Sequence, residues 1–342
     1  MTNKQKKESV TISDIAKKLN IATSTVSRAL NNNEKISEAT KKKVQDVALE
    51  LGYEISLAAS SLVKKSTNLI GVIVPKVGSE FYADVINGIQ EKAQEKGYKV
   101  IICQSDENVK QEIEMTKVLN ATRVDGVIAC LSMETKSVEH FKAFEKNNIP
   151  IVMFDRVSYD INGPKVVIDD YEAGYVAANH LIKIGRENIA HLSGNTQVKA
   201  FEDRTHGFKD ALKEHKLPLH PQFLLSCDLS EKDIRTALKM WMNGAQKPDA
   251  IITSSAQSGL ILTTVLKSMG YNIPEDLSII TLGNTASNEF ITPTLSAINI
   301  PGKEIGRASF DEIFTCIKEG KSSNNISVKP IQLLIRNSSF KA

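Results

Sequence analysis

The segment from Thr11 to Asn31, TISDIAKKLNIATSTVSRALN, constrains the fold more than any other stretch of the chain. Its apolar residues recur at spacings of three and four, which predicts two short helices that each bury one face. Ala16 is small where the helices would cross, and Asn20 tolerates the left-handed conformation needed between them. The segment therefore predicts a helix-turn-helix. The predicted inner residues are Ile12, Ile15, Ala16, Leu19, Val26, Ala29 and Leu30.

The second predicted helix carries a polar outward face. Hydroxyl groups suit phosphates and several base edges, and an arginine can donate two parallel hydrogen bonds to guanine. We therefore expect this face to read DNA, with Arg28 contributing about 1 to 3 kcal/mol of base discrimination. A helical hairpin that binds nothing is the alternative for this stretch alone. The predicted DNA-binding residues are Thr23, Ser24, Thr25, Ser27 and Arg28.

Length and charge predict that this head is joined to a larger body. The chain has 342 residues, enough for two or three domains. Residues 1–68 contain 12 basic and 7 acidic residues, whereas the remainder contains 31 and 33. The basic excess lies on the predicted DNA side, and it is small enough that phosphate attraction would only assist binding.

Several classes of protein are disfavoured by what the sequence lacks. Its four cysteines are far apart, which predicts reduced thiols in the cytoplasm rather than a zinc site or disulfides. We see no export signal in residues 1–10 and no run long enough for a membrane span. Nucleophile-elbow, phosphate-loop, dinucleotide and metal-pair motifs are not found, so we expect no enzyme, no cofactor and no metal site.

A third helix and a linker follow the hairpin. Ser37 can cap this helix, and Gly52 provides a left-handed stop, so residues 1–53 form a three-helix head. Residues 54–68 are serine-rich and too short to hold a helix alone, but they have helically spaced apolar residues. This linker either folds on DNA, with Leu62 as an apolar wedge in the minor groove, or is a plain tether.

From residue 69 onward, strand-length apolar runs alternate with amphipathic helices, which predicts a core of parallel α/β layers. The rhythm restarts after Val166, so we expect two similar lobes with a ligand cleft at the carboxyl ends of their strands. The first lobe would comprise about 69–167 and 301–325, and the second about 168–300 and 326–342. Predicted strands are 69–75, 98–103, 126–130, 151–155, 188–193, 223–225, 250–253, 277–282 and about 330–335. Predicted helices are 81–96, 109–121, 135–147, 171–184, 201–215, 231–243, 257–269 and 303–317.

The chain resembles the LacI/GalR family of bacterial transcription repressors over essentially its full length. The resemblance rests on TVSRALN at 25–31, VDGVIA at 124–129, FDR at 154–156, GF at 207–208 and IPEDLSII at 273–280. It implies an all-α helix-turn-helix head and a two-lobed α/β core of periplasmic-binding-protein type with two doubly wound parallel sheets. It also implies a cytoplasmic homodimer on a near-palindromic operator, controlled by a small molecule.

The resemblance places the effector site between the lobes. It implies that Phe81 and Tyr82 close the mouth of the cleft above Asp155 and Arg156, and that the second lobe offers Arg204 and Ser255. An arginine facing an aspartate suits a polyhydroxylated or anionic ligand. We therefore expect a sugar or sugar derivative as effector and carbohydrate-utilisation genes as targets. Two alternatives remain: Asp155 and Arg156 as an interlobe ion pair, and Phe81 as ordinary core.

Four departures from the family pattern qualify this prediction. Ala22 replaces the usual capping serine, so either Thr23 caps the recognition helix or the helix begins less firmly. Ile55, Ser56 and Ser60 stand where the linker usually has proline, asparagine and often arginine, so we expect it to fold less readily on DNA. Ala256 and Gly283 stand where many members have aspartate. A core controlled by a protein partner or by dimerisation, without a small ligand, is therefore the alternative function.

Overall fold

A computed structural model of the protein describes residues 10–53 and 66–340. The chain divides into two compact units, Met1–Thr67 and Asn68–Ala342, which we call the head and the core. Leu62 and Ile55 lie outside the described residues, so the predictions made for the linker stay predictions.

Between residues 10 and 53, the head consists of three helices: α1 (Ile12–Leu19), α2 (Thr23–Leu30) and α3 (Glu38–Leu51). The turn after α1 is made by Asn20 in the left-handed conformation, with φ 53°, as its position predicts. The hydroxyl of Ser37 accepts from the backbone N–H of Thr40, and Gly52 ends α3 with φ 66°. The helices close on a small apolar core whose buried members are Ile15, Ala16, Val26, Ala29, Val44 and Ala48.

The first lobe is built on a six-stranded parallel sheet. Its strands are β1 (Leu69–Val74), β2 (Lys99–Gln104), β3 (Gly126–Ala129), β4 (Ile151–Phe154), β5 (Lys165–Ile168) and β11 (Ile326–Lys329). They lie in the order β11-β5-β4-β3-β1-β2. One face packs on α4 (Glu80–Glu95) and α12 (Gly302–Glu319), and the other on α5 (Val109–Thr122) and α6 (Lys142–Lys146). Alternate strand residues, such as Val72 and Ile73, enter the two opposite cores.

The second lobe repeats this design. Its strands are β6 (Ile189–Ser193), β7 (Leu224–Ser226), β8 (Ala250–Thr253), β9 (Ser278–Leu282), β10 (Ser296–Asn299) and β12 (Gln332–Leu334). Their order is β12-β10-β9-β8-β6-β7, and only the β10–β12 pair is antiparallel. Helices α7 (Asp170–Lys183) and α8 (Lys199–Glu214) cover one face, and α9 (Glu231–Asn243) and α10 (Ala256–Ser268) cover the other. A short helix α11 (Ser287–Phe290) follows β9.

The chain crosses between the two sheets three times, after β5, after β10 and after β11. This arrangement confirms the predicted two-lobed core. One predicted boundary is wrong. The sequence analysis placed all of residues 326–342 in the second lobe. Strand β11 pairs with β5 in the first sheet, so residues 326–329 belong to the first lobe.

The predicted helix at 135–147 is wrong over its first half. Only a 3₁₀ turn, Glu139–Phe141, and α6 are helical there. The buried carboxylate of Glu112 explains the difference, because it accepts from the hydroxyl of Thr135 at 2.8 Å and from the N–H of Ser132 at 2.7 Å. Burial alone would raise the pKa of Glu112, but hydrogen bonds from His140, Ser132 and Thr135 hold it below its usual value.

Glycines allow two helices in each lobe to cross with their backbones in contact. A Cβ on Gly207 of α8 would lie 2.0 Å from the carbonyl oxygen of Tyr171 on α7, and a Cβ on Gly174 would lie 2.0 Å from that of Arg204. In the first lobe, a Cβ on Gly306 of α12 would lie 2.0 Å from the carbonyl oxygen of Val85 on α4. Both lobes therefore depend on residues without a side chain at the crossing.

We expect Gly207→Ala to destabilise the core by at least about 1 to 3 kcal/mol, because the added methyl group meets backbone that cannot rotate away. Gly78→Ala is the matched control, since a Cβ there has no atom within 4 Å. Urea unfolding of both variants measures the difference. Equal stability of the two variants would contradict the close crossing of α7 and α8.

Candidate functional site: a DNA-reading face and an interlobe cleft

The outward face of α2 is open to solvent in the head. Thr23, Ser24 and Arg28 are exposed, and Thr25 and Ser27 are half-buried. The opposite face of the helix is closed, because Val26 and Ala29 are 0% exposed. The inner residues thus fix the helix in the head, and the predicted base-reading residues are free to contact a partner.

The start of α2 lacks a side-chain cap. Ala22 is the N-cap residue, and no side chain accepts a hydrogen bond from the first turn. Of the two possibilities that the sequence leaves open, Thr23 therefore does not take over the cap. A missing cap costs about 1 kcal/mol, so packing of Val26 and Ala29 must hold this helix.

In the first lobe, Tyr82, Asp155 and Arg156 form one hydrogen-bonded group at the carboxyl end of β4. The hydroxyl of Tyr82 donates to Asp155 Oδ2 at 3.1 Å and accepts from Arg156 Nη2 at 2.6 Å. Burial raises the pKa of Tyr82, so its hydroxyl stays protonated and can donate. Asp155 itself has φ 56°, a conformation that aspartate tolerates better than most residues.

Two of the alternatives for this group can now be judged. Asp155 and Arg156 lie in the same lobe, with 3.7 Å between Oδ2 and Nε, so they are not an interlobe ion pair. Phe81 is half-buried and packs against the buried apolar residues around it. Its ring also packs edge-to-face on Tyr82, with 5.1 Å between the ring centres. Its core role and a role at the cleft mouth are thus compatible.

Glu107 is the main partner of Arg156, and sequence reasoning missed it. Its two carboxylate oxygens accept from Nη1 at 2.7 Å and from Nη2 at 2.8 Å. It also accepts from the backbone N–H of Met133 at 2.8 Å. Asp106 and Glu107 both have positive φ, 52° and 58°. Nothing in the sequence marks two successive left-handed non-glycine residues.

In the second lobe, Arg204 is buried against a carboxylate that the sequence also left unassigned. Its Nε donates to Asp170 Oδ1 at 2.7 Å, and its Nη1 donates to the carbonyl oxygen of Ser254 at 3.1 Å. Burial raises the pKa of Asp170 to about 6, although the positive charge of Arg204 opposes this shift. Next to Ser254, the hydroxyl of Ser255 accepts from the N–H of Ser258 and caps α10.

Phe201 joins the two lobes at the centre of the cleft. The guanidinium carbon of Arg156 lies 5.9 Å from its ring centre, and that of Arg204 lies 5.5 Å from it. Two hydrogen bonds also cross between the lobes: Glu80 accepts from the N–H of Ala286 at 2.6 Å, and the Asn195 amide donates to the Met133 carbonyl at 3.5 Å. The predicted effector residues of both lobes thus converge on one aromatic ring.

The positions that lack the family's aspartates have a structural explanation. Gly283 has φ 126°, a conformation that side chains rarely adopt, and a Cβ there would lie 3.3 Å from the backbone nitrogen of Ala256. Ala256 is itself buried at the start of α10. Backbone therefore shapes the surroundings of Ala256 and Gly283, and the carboxylates that hold the two arginines come from Glu107 and Asp170 instead.

Comparison with known proteins identifies the chain. The model for bacterial regulatory proteins of the lacI family matches residues 11–56, and the model for periplasmic binding proteins and the sugar binding domain of the LacI family matches residues 67–337. The chain therefore belongs to the LacI family, as its motifs indicate, and is a DNA-binding transcription regulator.

Individual relatives support this assignment. The chain is 31% identical over 330 residues to the HTH-type transcriptional regulator DegA of Bacillus subtilis (strain 168), covering 96% of this chain and 97% of DegA. The lac repressor dimer bound to operator and the anti-inducer ONPF has the same fold, with a TM-score of 0.85 and 21% identity, over 98% of this chain and 100% of that chain.

A LacI family regulator from Enterococcus faecium, solved with bound ribose, has a TM-score of 0.72 and 26% identity, with coverage of 80% of this chain and 100% of that chain. These relatives are regulators, which points away from an enzyme. Within residues 10–53 and 66–340, no helix is both long and apolar enough to cross a membrane.

A buried histidine behind Arg204 predicts acid sensitivity of the core. His191 is 0% exposed and stacks on Phe208, and burial lowers its pKa to about 4. As the pH falls from about 6.5 to 4, His191 takes up a proton in the unfolded chain but stays neutral in the folded core. We expect a stability loss of up to about 3 kcal/mol over this window from His191 alone.

Urea unfolding at pH 7 and pH 4.5 tests this expectation. His191→Leu should remove most of that pH-dependent loss, and His206→Leu, an exposed change on α8, should retain it. Identical pH dependence in the wild type and His191→Leu would show that the imidazole is accessible to protons in the folded core.

Proposed function

We propose that this regulator is a ligand-responsive repressor of carbohydrate-utilisation genes, which binds a near-palindromic operator as a cytoplasmic homodimer. The observation that carries the DNA-reading part is the division of α2, with Val26 and Ala29 buried and Thr23, Ser24 and Arg28 exposed. The two-lobed core in the same chain supports control by a ligand.

The proposed mechanism couples the cleft to the linkers. Effector binding changes how the two lobes meet, which alters the spacing of the two linkers across the dimer and their ability to enter the minor groove together. A coupling of about 1 to 3 kcal/mol gives a change of about 5 to 150-fold in operator affinity.

The structure favours a neutral hydroxylated effector over an anionic one. Both cleft arginines already have carboxylate partners, Glu107 for Arg156 and Asp170 for Arg204. An anion would compete with those carboxylates, whereas ligand hydroxyls can both donate to aspartates and accept from arginines. The regulator from Enterococcus faecium, whose structure contains ribose, agrees with this class.

Thermal-shift screening of the full-length protein with sugars tests effector control. A ligand at about 100 times its dissociation constant should stabilise the core by about 2.7 kcal/mol. If no sugar shifts the transition while specific DNA binding persists, control by a protein partner or by dimerisation becomes the better account.

Arg28→Ala should lower base discrimination by about 1 to 3 kcal/mol at one position of the operator half-site, because it removes a bidentate donor. DNA sequences retained by the purified protein define the site, and competition gels then measure selectivity. Lys42→Ala, an exposed charge removal on α3, is the control and should weaken all sequences similarly. Unchanged selectivity in Arg28→Ala would remove this residue from base reading.

The proposed dimer has a candidate contact at Phe290. This side chain is 84% exposed on the short helix α11, which packs beside α10. We assign its partner as a second copy of the chain, in line with the lac repressor, whose structure is a dimer. Burial of a phenylalanine contributes about 1.5 to 3 kcal/mol per copy.

We therefore expect Phe290→Asp to shift the protein toward monomer at micromolar concentration and to weaken operator binding with it. Sedimentation velocity measures the first effect. Leu219→Asp is the control, since Leu219 is 43% exposed in the loop after α8. An unaltered dimer in Phe290→Asp would place the contact elsewhere.

A further inference from the structure

A cavity of about 230 Å³ lies beside the interlobe cleft, where the chain first crosses from one sheet to the other. Four segments enclose it: the loop after β4, the crossover from β5 into α7, the first turn of α8 and strand β11. Because both lobes contribute walls, we call this cavity the hinge subsite.

The hinge subsite adjoins the predicted effector site without coinciding with it. Asp155 and Arg156 line both. The other four predicted effector residues do not line the cavity: Phe81, Tyr82, Arg204 and Ser255. A ligand held against Asp155 therefore has space beside it that the family resemblance does not assign.

One wall of the hinge subsite is apolar and open. Tyr159 is 62% exposed, Ile326 is 52% exposed and Val328 is 57% exposed. Ile326 and Val328 lie on the same face of β11, which is the last strand of the first sheet. These side chains form a surface on which the flat apolar face of a ring can pack.

The facing wall is rich in carboxylates. Asp169 Oδ1 accepts from the N–H of Glu172, Asp170 Oδ1 pairs with Arg204, and Asp203 Oδ1 pairs with Lys199. Each of these contacts uses one acceptor site, and a carboxylate has about four, so these groups can also accept from ligand hydroxyls. Aspartates outnumber the two basic lining residues, Arg156 and Lys199, so an anionic group such as phosphate is disfavoured.

We propose that the hinge subsite binds a second sugar ring of the effector, so that the preferred effector is a disaccharide or larger glycoside. A pyranose ring has an apolar C–H face for Tyr159 and a rim of hydroxyls for the aspartates. The cavity has the volume of about seven or eight waters, which suits one ring. This inference rests on the proposed carbohydrate effector.

Calorimetric titration of the full-length protein tests the proposal with paired probes. The probes are glucose with cellobiose and maltose, galactose with lactose, and xylose with xylobiose. We expect at least one disaccharide to bind ten-fold or more tightly than its constituent monosaccharide. Val328→Trp, which fills the subsite from an exposed strand position, should remove this excess and leave monosaccharide binding unchanged.

Val118→Trp is the matched control, because Val118 is 50% exposed on α5 and does not line the cavity. It should retain the disaccharide preference, and thermal unfolding of both variants verifies that they fold. Equal affinity for paired mono- and disaccharides, or an unaffected preference in Val328→Trp, overturns the subsite and leaves the carbohydrate effector standing. If no probe binds, the subsite and the carbohydrate effector both fail.

Discussion

The core is organised by two buried guanidinium groups that meet on one aromatic ring. Arg156 comes from the first lobe and Arg204 from the second, and each is neutralised by a carboxylate of its own lobe. The ring centre of Phe201 lies within 5.9 Å of both guanidinium carbons, so the two arginines share one aromatic neighbour. Removing one partner of such a buried pair typically costs about 3 to 5 kcal/mol of folding stability. The stability of the core therefore depends on Glu107 and Asp170 as well as on the two arginines.

This arrangement changes what the cleft can recognise. From the sequence alone, an arginine is expected to be a free hydrogen-bond donor. An arginine that already donates two hydrogen bonds to a carboxylate has few N–H groups available for an anionic ligand. Recognition then depends on the carboxylates and hydroxyls around the arginines.

Local sequence patterns predicted most of the helices and strands. They could not predict the contacts between residues that are far apart in the sequence. Asn20, Ser37 and Gly52 each satisfy a backbone requirement within a few residues, and the structure confirms all three. The sequence analysis did not predict β5, β10 or β11. Glu107 and Phe201 escaped notice because their roles depend on partners 49 residues away and across the cleft. The helix expected at 135–147 failed for the same reason, since a distant Glu112 holds Thr135.

The hydrogen bonds between the two lobes are weak enough for the lobes to change how they meet. Across the described residues, two hydrogen bonds that involve side chains link the lobes, and each contributes about 0.5 to 1.5 kcal/mol. That sum is comparable to the coupling of about 1 to 3 kcal/mol that a regulator needs between its ligand and its operator. A ligand can therefore change how the lobes meet with a small part of its binding energy. The glycine crossings within each lobe are far stiffer, so motion is expected between the lobes and not inside them.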